Sequence, residues 1–282
     1  MMNNTPPVTK NLIIINVLCF MAAIVGERYG LNLNDTLGLH YFGSDKFRLY
    51  QLFTYMFMHA GIWHLLGNML WLYWFGRLFL YFFSAKHLRG LYIVGGLLGA
   101  LLYIVAYNVF PIFSGQLYSA TLLGASASVL AIAIATAIRE PEYKINLMFI
   151  GPVKLKYFAL FIVLFDALYV GSNNAGGHIA HLGGALAGWW FAKGISQGRD
   201  ITHWVNVCID AIGSLFSKRE PKVRKPKMKV HTTNSRTTDY EYNARKKEKS
   251  DEVDKILEKL KKSGYSSLSE EEKRRLFEAS KR

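Results

Sequence analysis

Ser126 stands two residues after Gly124, at the mouth of the apolar run Val129-Leu-Ala-Ile-Ala-Ile-Ala-Thr-Ala-Ile138. Two other apolar stretches also open on polar side chains, His64 and Asn68 in one and His178 and His181 in another. Serine, histidine and asparagine together supply what acyl transfer needs: a hydroxyl nucleophile, an imidazole base and N–H donors for a developing oxyanion. Each also has a plainer role taken alone. Small residues let membrane helices approach closely, and a single histidine there serves as a hydrogen-bond partner between helices.

Spacing narrows the roles without settling them. His64 and Asn68 are four apart and share a helix face, so both can donate toward one oxygen. Ser128 is a rival to Ser126, but projects about 200° away around the helix. Gly184 and Gly188 form a close-packing stripe, with His181 one turn earlier on the same face. If the packed helix carries Ser126, His181 can act as its base. His178, three residues before His181, has a similar claim. A metal site from His64, His178 and His181 lacks a carboxylate or cysteine at that depth, so no metal or other cofactor is expected. Asp166 is the one carboxylate inside an apolar span; it could orient a histidine, a loop-facing or interface role is preferred, and the unit reads as a Ser–His dyad.

The elements that must position these residues follow from hydropathy and charge. The 282 residues are 51% hydrophobic and yet carry a net charge of +14. Residues 1–196 hold 12 Lys/Arg and 6 Asp/Glu, whereas 197–282 hold 22 and 14. The chain is therefore an apolar body followed by a basic, charged tail, which excludes an ordinary soluble domain. Six runs approach the length needed to cross a ~30 Å hydrocarbon layer, at 10–28, 62–83, 88–109, 124–139, 157–171 and 178–195. The fourth and fifth are short and need ends that sit in protein or water. The uncharged loop at 111–123 is compatible with an inward dip. The first run is kept as a span because no clean cleavage site follows it. Cys19 and Cys208 imply no disulfide framework.

Lys10, Lys86, Arg89, Arg139, Lys144, Lys154 and Lys156 fall on one side together with the tail, so both termini are expected to be cytoplasmic. Spans two, four and six then enter from the outer face. Ser126, His64, Asn68 and the two histidines of the sixth span share a layer about 5–10 Å below that face.

At these residues the chain resembles the rhomboid family of intramembrane serine proteases. His59-Ala60-Gly-Ile-Trp-His64-Leu-Leu-Gly-Asn68 matches HAxxxHxxxN, Gly124-Ala125-Ser126-Ala127 matches GxSx, and Ala180-His181-Leu-Gly-Gly184 matches AHxxG. The resemblance covers about 10–196. It implies an all-α, six-helix polytopic bundle with Ser126 as nucleophile and His181 as general base. His64, Asn68 and the Ser126 backbone N–H become the oxyanion hole, and His59, Gly124, Gly184 and Gly188 support them. Tyr50-Gln51 resembles the aromatic-plus-polar pair of the family's first loop. Many members carry glycine where this chain has Ala127; alanine is small and fits a helix well, so activity is expected to survive, while rate and specificity stay open because the methyl could tighten the approach of a substrate backbone. The implied substrates are transmembrane helices of other proteins, and the implied setting is a bacterial cytoplasmic membrane. A catalytically weak or inactive client-binding protein is the alternative, though such proteins usually lack the serine or the histidine.

Three regions are expected: a membrane domain at 1–196, a juxtamembrane amphipathic segment and basic linker at 197–230, and a charged cytoplasmic tail at 231–282. Ile201–Phe216 reads as an interfacial helix. Lys218–Lys229, with seven Lys/Arg in twelve residues, is expected to meet anionic lipid; no folded nucleic-acid motif accompanies it. A helical hairpin is expected over 251–280, with Val253, Ile256, Leu257 and Leu260 on one face and Gly264 as the stop. Ser269 and Glu272 form a capping box for the second helix, which should turn Leu276 and Phe277 inward.

Overall fold

Prolines 6 and 7 open the first apolar run as a helix, α1 (Pro7–Arg28), because proline's missing N–H costs nothing in a first turn. The computed structural model describes residues 5–147, 150–172, 174–216 and 236–280. After α1 come α2 (Leu33–Leu37), capped by Asn32 accepting from the Asp35 N–H at 3.0 Å, then β1 (Leu39–His40) and α3 (Gln51–Thr54). Next are α4 (Ile62–Phe79) and α5 (Ala85–Val109), the latter capped by Ser84. β2 (Thr121–Leu122) leads into α6 (Ser126–Arg139). The ribbon β3 (Lys144–Leu147) and β4 (Gly151–Lys154) precedes α7 (Leu155–Leu168), α8 (Ala175–Ser196) and α9 (His203–Phe216).

The six runs expected as spans are the helices α1, α4, α5, α6, α7 and α8, with ends shifted by a few residues. Two antiparallel ribbons were not anticipated. One pairs β1 with β2, so the loop at 111–123 returns to the first loop as a strand after a 3-10 turn over Pro111–Gln116. The other pairs β3 with β4. At its base, Lys154 and Lys156 hold the Glu142 carboxyl down to about 2.

Helix α6 is the centre of the first unit, buried from Ala127 through Ala137. Fourteen residues rise about 21 Å, less than a bilayer core, and protein surrounds that short length as expected. Small residues allow it: a Cβ at Gly95 or Gly99 of α5 would lie 2.5 or 2.8 Å from the methyls of Ala131 and Ala127. Helix α7, equally short, is packed differently: it buries only Leu155 and Asp166 and leaves Phe161, Leu164 and Leu168 exposed. With Leu18 and Met21 on α1 and Trp63 and Trp74 on α4, these side chains make an apolar exterior suited to lipid rather than water. By length and composition, α1 and α5 can each cross a membrane.

Helix α9 is fastened to α5. Lys86 and Arg89 both pair with Asp210, holding its carboxyl below the usual range, and Arg89 Nε donates to Asn206 Oδ1 at 2.7 Å. Trp204, Val207, Ile212 and Leu215 face outward, the pattern of the interfacial helix expected there.

Residues 219–282 form a separate unit. The expected helix at 251–262 is part of a longer one, α10 (Arg236–Ser263), stopped by Gly264 at φ 74°. α11 (Glu270–Ser280) follows the expected capping box: Glu272 N–H donates to Ser269 Oγ at 3.3 Å, and Ser269 N–H to Glu272 Oε2 at 2.7 Å. Two expected inward residues differ. Ile256 and Leu268 are buried, but Leu257 and Phe277 are exposed. A hairpin of two helices closes over one narrow stripe, which Ile256 and Leu268 fill. The basic linker Lys218–Lys229 lies outside the described residues.

Candidate active site

Gly124 adopts φ 124°, a conformation that side-chain-bearing residues rarely reach. Its N–H donates to the Tyr55 carbonyl at 3.0 Å, and the Tyr55 hydroxyl donates to the Gly96 carbonyl of α5 at 2.6 Å. This ties the entry to α6 to the preceding loop and sets Ser126 as the first helical residue. Helix α6 has no side-chain cap. The first N–H to find an acceptor one turn back is that of Val129, on the Ala125 carbonyl at 2.9 Å. The N–H groups of Ser126 to Ser128 therefore form the open, electropositive start of the helix.

Glycines set the distance between α6 and α8. A Cβ at Gly184 would lie 2.1 Å from the Ala127 carbonyl oxygen, and one at Gly188 2.3 Å from that of Ala131. The two backbones are in direct contact, and one turn above Gly184 the His181 Nε2 lies 2.7 Å from Ser126 Oγ. Ser128 is fully buried, with its hydroxyl turned toward Gly96 of α5. Of the two serines, Ser126 meets the imidazole.

Asp166 lies at the interface of α7 with α8, where it meets the histidines rather than a loop: its side chain is 3% exposed, and its Oδ1 lies 2.9 Å from His181 Nδ1 and 2.8 Å from His178 Nδ1. A carboxylate does stand at the depth of the histidines, so the premise used against a metal there fails. Asp166, His178 and His181 have ligand atoms within 4.8 Å of one another. The signal was legible in principle, because one carboxylate in an otherwise apolar membrane helix marks a site by default.

His64 and Asn68 project from α4 toward the same place. A Cβ on Gly124 would lie 2.8 Å from the His64 Cε1 and Nε2, so the ring rests against the backbone leading to Ser126. Asn68 gives one amide hydrogen to the His64 carbonyl at 2.8 Å and keeps its second. His59 is fully buried, its ring edge-on to His64 with centroids 5.2 Å apart. Gln51 is buried in the first loop, where its amide donates to the Thr36 and Lys46 carbonyls and its oxygen accepts from Arg48 N–H. Ala127 turns away from the cleft. Its methyl is buried against Gly99 of α5.

Two cavities meet at Ser126, His64, Asn68 and His181. One, of about 720 Å3, also touches Tyr103, Ser119 and Asn174 among the loops. The other, of about 440 Å3, runs between α4 and α7 and is walled by Trp63, Trp71, Phe161 and Phe165. The arrangement can pass the serine proton to an imidazole while N–H groups face an oxygen on the opposite side.

With helical bundle and site described, the chain belongs to the rhomboid family: the model for the rhomboid domain matches residues 46–198. Residues 236–282 match a second model, a family of unknown function (DUF6576). RHOMBOID-like protein 12, mitochondrial, of Arabidopsis thaliana is 31% identical over 189 residues, covering 63% of this chain and 55% of that protein. Presenilin-associated rhomboid-like protein A, mitochondrial, of Danio rerio is 26% identical over 185 residues, covering 64% and 42%. The chain spans about half the length of these curated relatives. The family is one of integral membrane proteins. Both relatives are named as mitochondrial, so the expected bacterial cytoplasmic membrane finds no support in them.

Proposed function

We propose that this chain is an intramembrane serine endopeptidase that hydrolyses peptide bonds in or near transmembrane helices of other proteins. The observation that carries this reading is the 2.7 Å contact between Ser126 Oγ and His181 Nε2 at the junction of a polar and an apolar cavity. The apolar opening between α4 and α7 suits a substrate helix arriving from lipid; the polar one suits water for the second step.

Ser126 Oγ attacks the peptide carbonyl carbon while its proton passes to His181 Nε2. The carbonyl oxygen takes up the displaced electron pair, facing the Ser126 N–H, His64 and Asn68. Collapse of this intermediate breaks the C–N bond, and the proton leaves on the amine. Water then repeats the sequence on the acyl-enzyme. Removing one oxyanion donor from such a site typically costs ~3–4 kcal/mol of transition-state stabilisation.

Co-expression with a transmembrane substrate tests the reading. Ser126→Ala and His181→Ala are each expected to abolish cleavage while the protein stays folded, and a fluorophosphonate probe is expected to label Ser126 in the parent. Normal cleavage by both variants would overturn it, and a folded, unlabelled and inactive parent would favour a client-binding protein.

A further inference from the structure

Helix α7 turns a nearly continuous apolar surface outward and buries a carboxylate near its end. Burying an ionised carboxylate costs several kcal/mol unless hydrogen-bond donors replace water. Asp166 Oδ1 has two, the Nδ1 atoms of His178 and His181, at 2.8 and 2.9 Å. When Asp166 is ionised it can only accept, and each histidine then donates to Oδ1 from a protonated Nδ1, while Oδ2 is buried with no partner among the described residues. For His181 that leaves Nε2 with a free lone pair, directed at Ser126 Oγ 2.7 Å away.

We propose that Asp166 is a positioning residue for this site: it holds His181 in the tautomer that accepts the serine proton, and His178 holds Asp166 through a second hydrogen bond to the same oxygen. The proposal rests on the serine-endopeptidase reading and extends its dyad to a chain of Ser126, His181 and Asp166. When His181 accepts the Ser126 proton it becomes a cation beside a buried carboxylate. Asp166 stabilises that cation without taking the proton, which leaves from Nε2 on the departing amine. A metal ion in place of the protons fits less well. Zinc binds nitrogen and oxygen at about 2.0–2.2 Å in a tetrahedral array, which needs ligand atoms spread wider than the 2.8–2.9 Å seen between Oδ1 and each Nδ1.

The test uses the full chain, purified and reconstituted in liposomes with a transmembrane substrate. It compares wild type with Asp166→Asn, Asp166→Glu and His178→Ala by kcat, KM, fluorophosphonate labelling of Ser126 and thermal melting. Asp166→Asn is expected to lower kcat at least 100-fold with KM within twofold, and labelling is expected to fall in parallel in the folded protein. Asp166→Glu restores the charge and is expected to recover part of kcat. His178→Ala is expected to cost about tenfold, since Asp166 keeps its contact to His181. Histidine 15N spectra add a readout that packing alone would not move: His181 is expected to be the Nδ1–H tautomer in the wild type and a mixture in Asp166→Asn.

A folded Asp166→Asn that keeps kcat within threefold overturns the proposal. If Asp166→Asn does not fold, Asp166→Glu carries the test. A loss in Asp166→Glu that only follows the folded fraction assigns Asp166 to packing. Stoichiometric zinc whose removal abolishes wild-type activity also overturns it. A wild type that neither cleaves nor labels at Ser126 refutes the underlying reading and this proposal together; every other outcome bears on Asp166 alone.

Discussion

Gly124 is where backbone conformation and site geometry meet. Its φ of 124° and the 2.8 Å gap between a Cβ there and the His64 ring leave no room for a side chain. Gly124→Ala should cost about 1–3 kcal/mol in backbone strain and push His64 away from the oxygen it faces. Melting temperature and kcat, measured on the same preparation, are expected to show a modest loss of the first and at least a tenfold loss of the second. Unchanged activity would remove His64 from the proposed oxyanion hole. The residue types of this site were legible, because Ser126, His64, Asn68 and His181 each stand near the start of an apolar run. The choice between the roles open to Asp166 was not, for a physical reason. Helix α7 is apolar nearly all round, so its sequence carries no amphipathic period to say which way it is rotated. Only packing decides whether its carboxylate meets a loop, lipid or the histidines.

At the scale of elements, the contact between α6 and α8 sets the Ser126–His181 distance. In lipid no hydrophobic force pulls helices together, so small residues that let backbones touch do this work. Gly184→Ala would put a methyl 2.1 Å from the Ala127 carbonyl oxygen. The helices must separate, at a cost of about 1–3 kcal/mol for overpacking. A misplacement near 1 Å costs about 100-fold in rate. Gly184→Ala is therefore expected to lose far more activity than stability, with Gly188→Ala milder because its contact lies a turn further from His181. Equal activity in all three proteins, measured by probe labelling and cleavage, would dissociate the stripe from the site. The glycine stripe and the six long apolar helices could be read in advance because each is a pattern that runs over many residues. The ribbons could not: β1 and β2 are two residues each, too short for any alternation to register, and their pairing joins loops 81 residues apart.

Over the whole molecule, the chain divides at 218, some twenty residues beyond the boundary expected at 196. The difference is α9. Its Asp210 is held by Lys86 and Arg89 of α5, and a Cβ on Gly90 would lie 2.6 Å from Thr202 Cβ, so the segment read as a juxtamembrane amphipathic helix is packed on the first unit. The proposed site draws on α4, α6, α7 and α8, all within that unit. A protein ending at residue 218 is therefore expected to fold, label at Ser126 and cleave a reconstituted transmembrane substrate with kcat within threefold of the full chain. Ending the chain at 200 instead removes Asp210 and Asn206, strands Arg89 at the inner end of α5, and is expected to lower the melting temperature measurably. If the 218-residue protein were inactive while still folded, the tail would have to be part of the cleavage machinery. If the 200-residue protein melted like the longer one, α9 would be an appendage, and the boundary would return to the position that hydropathy gives it.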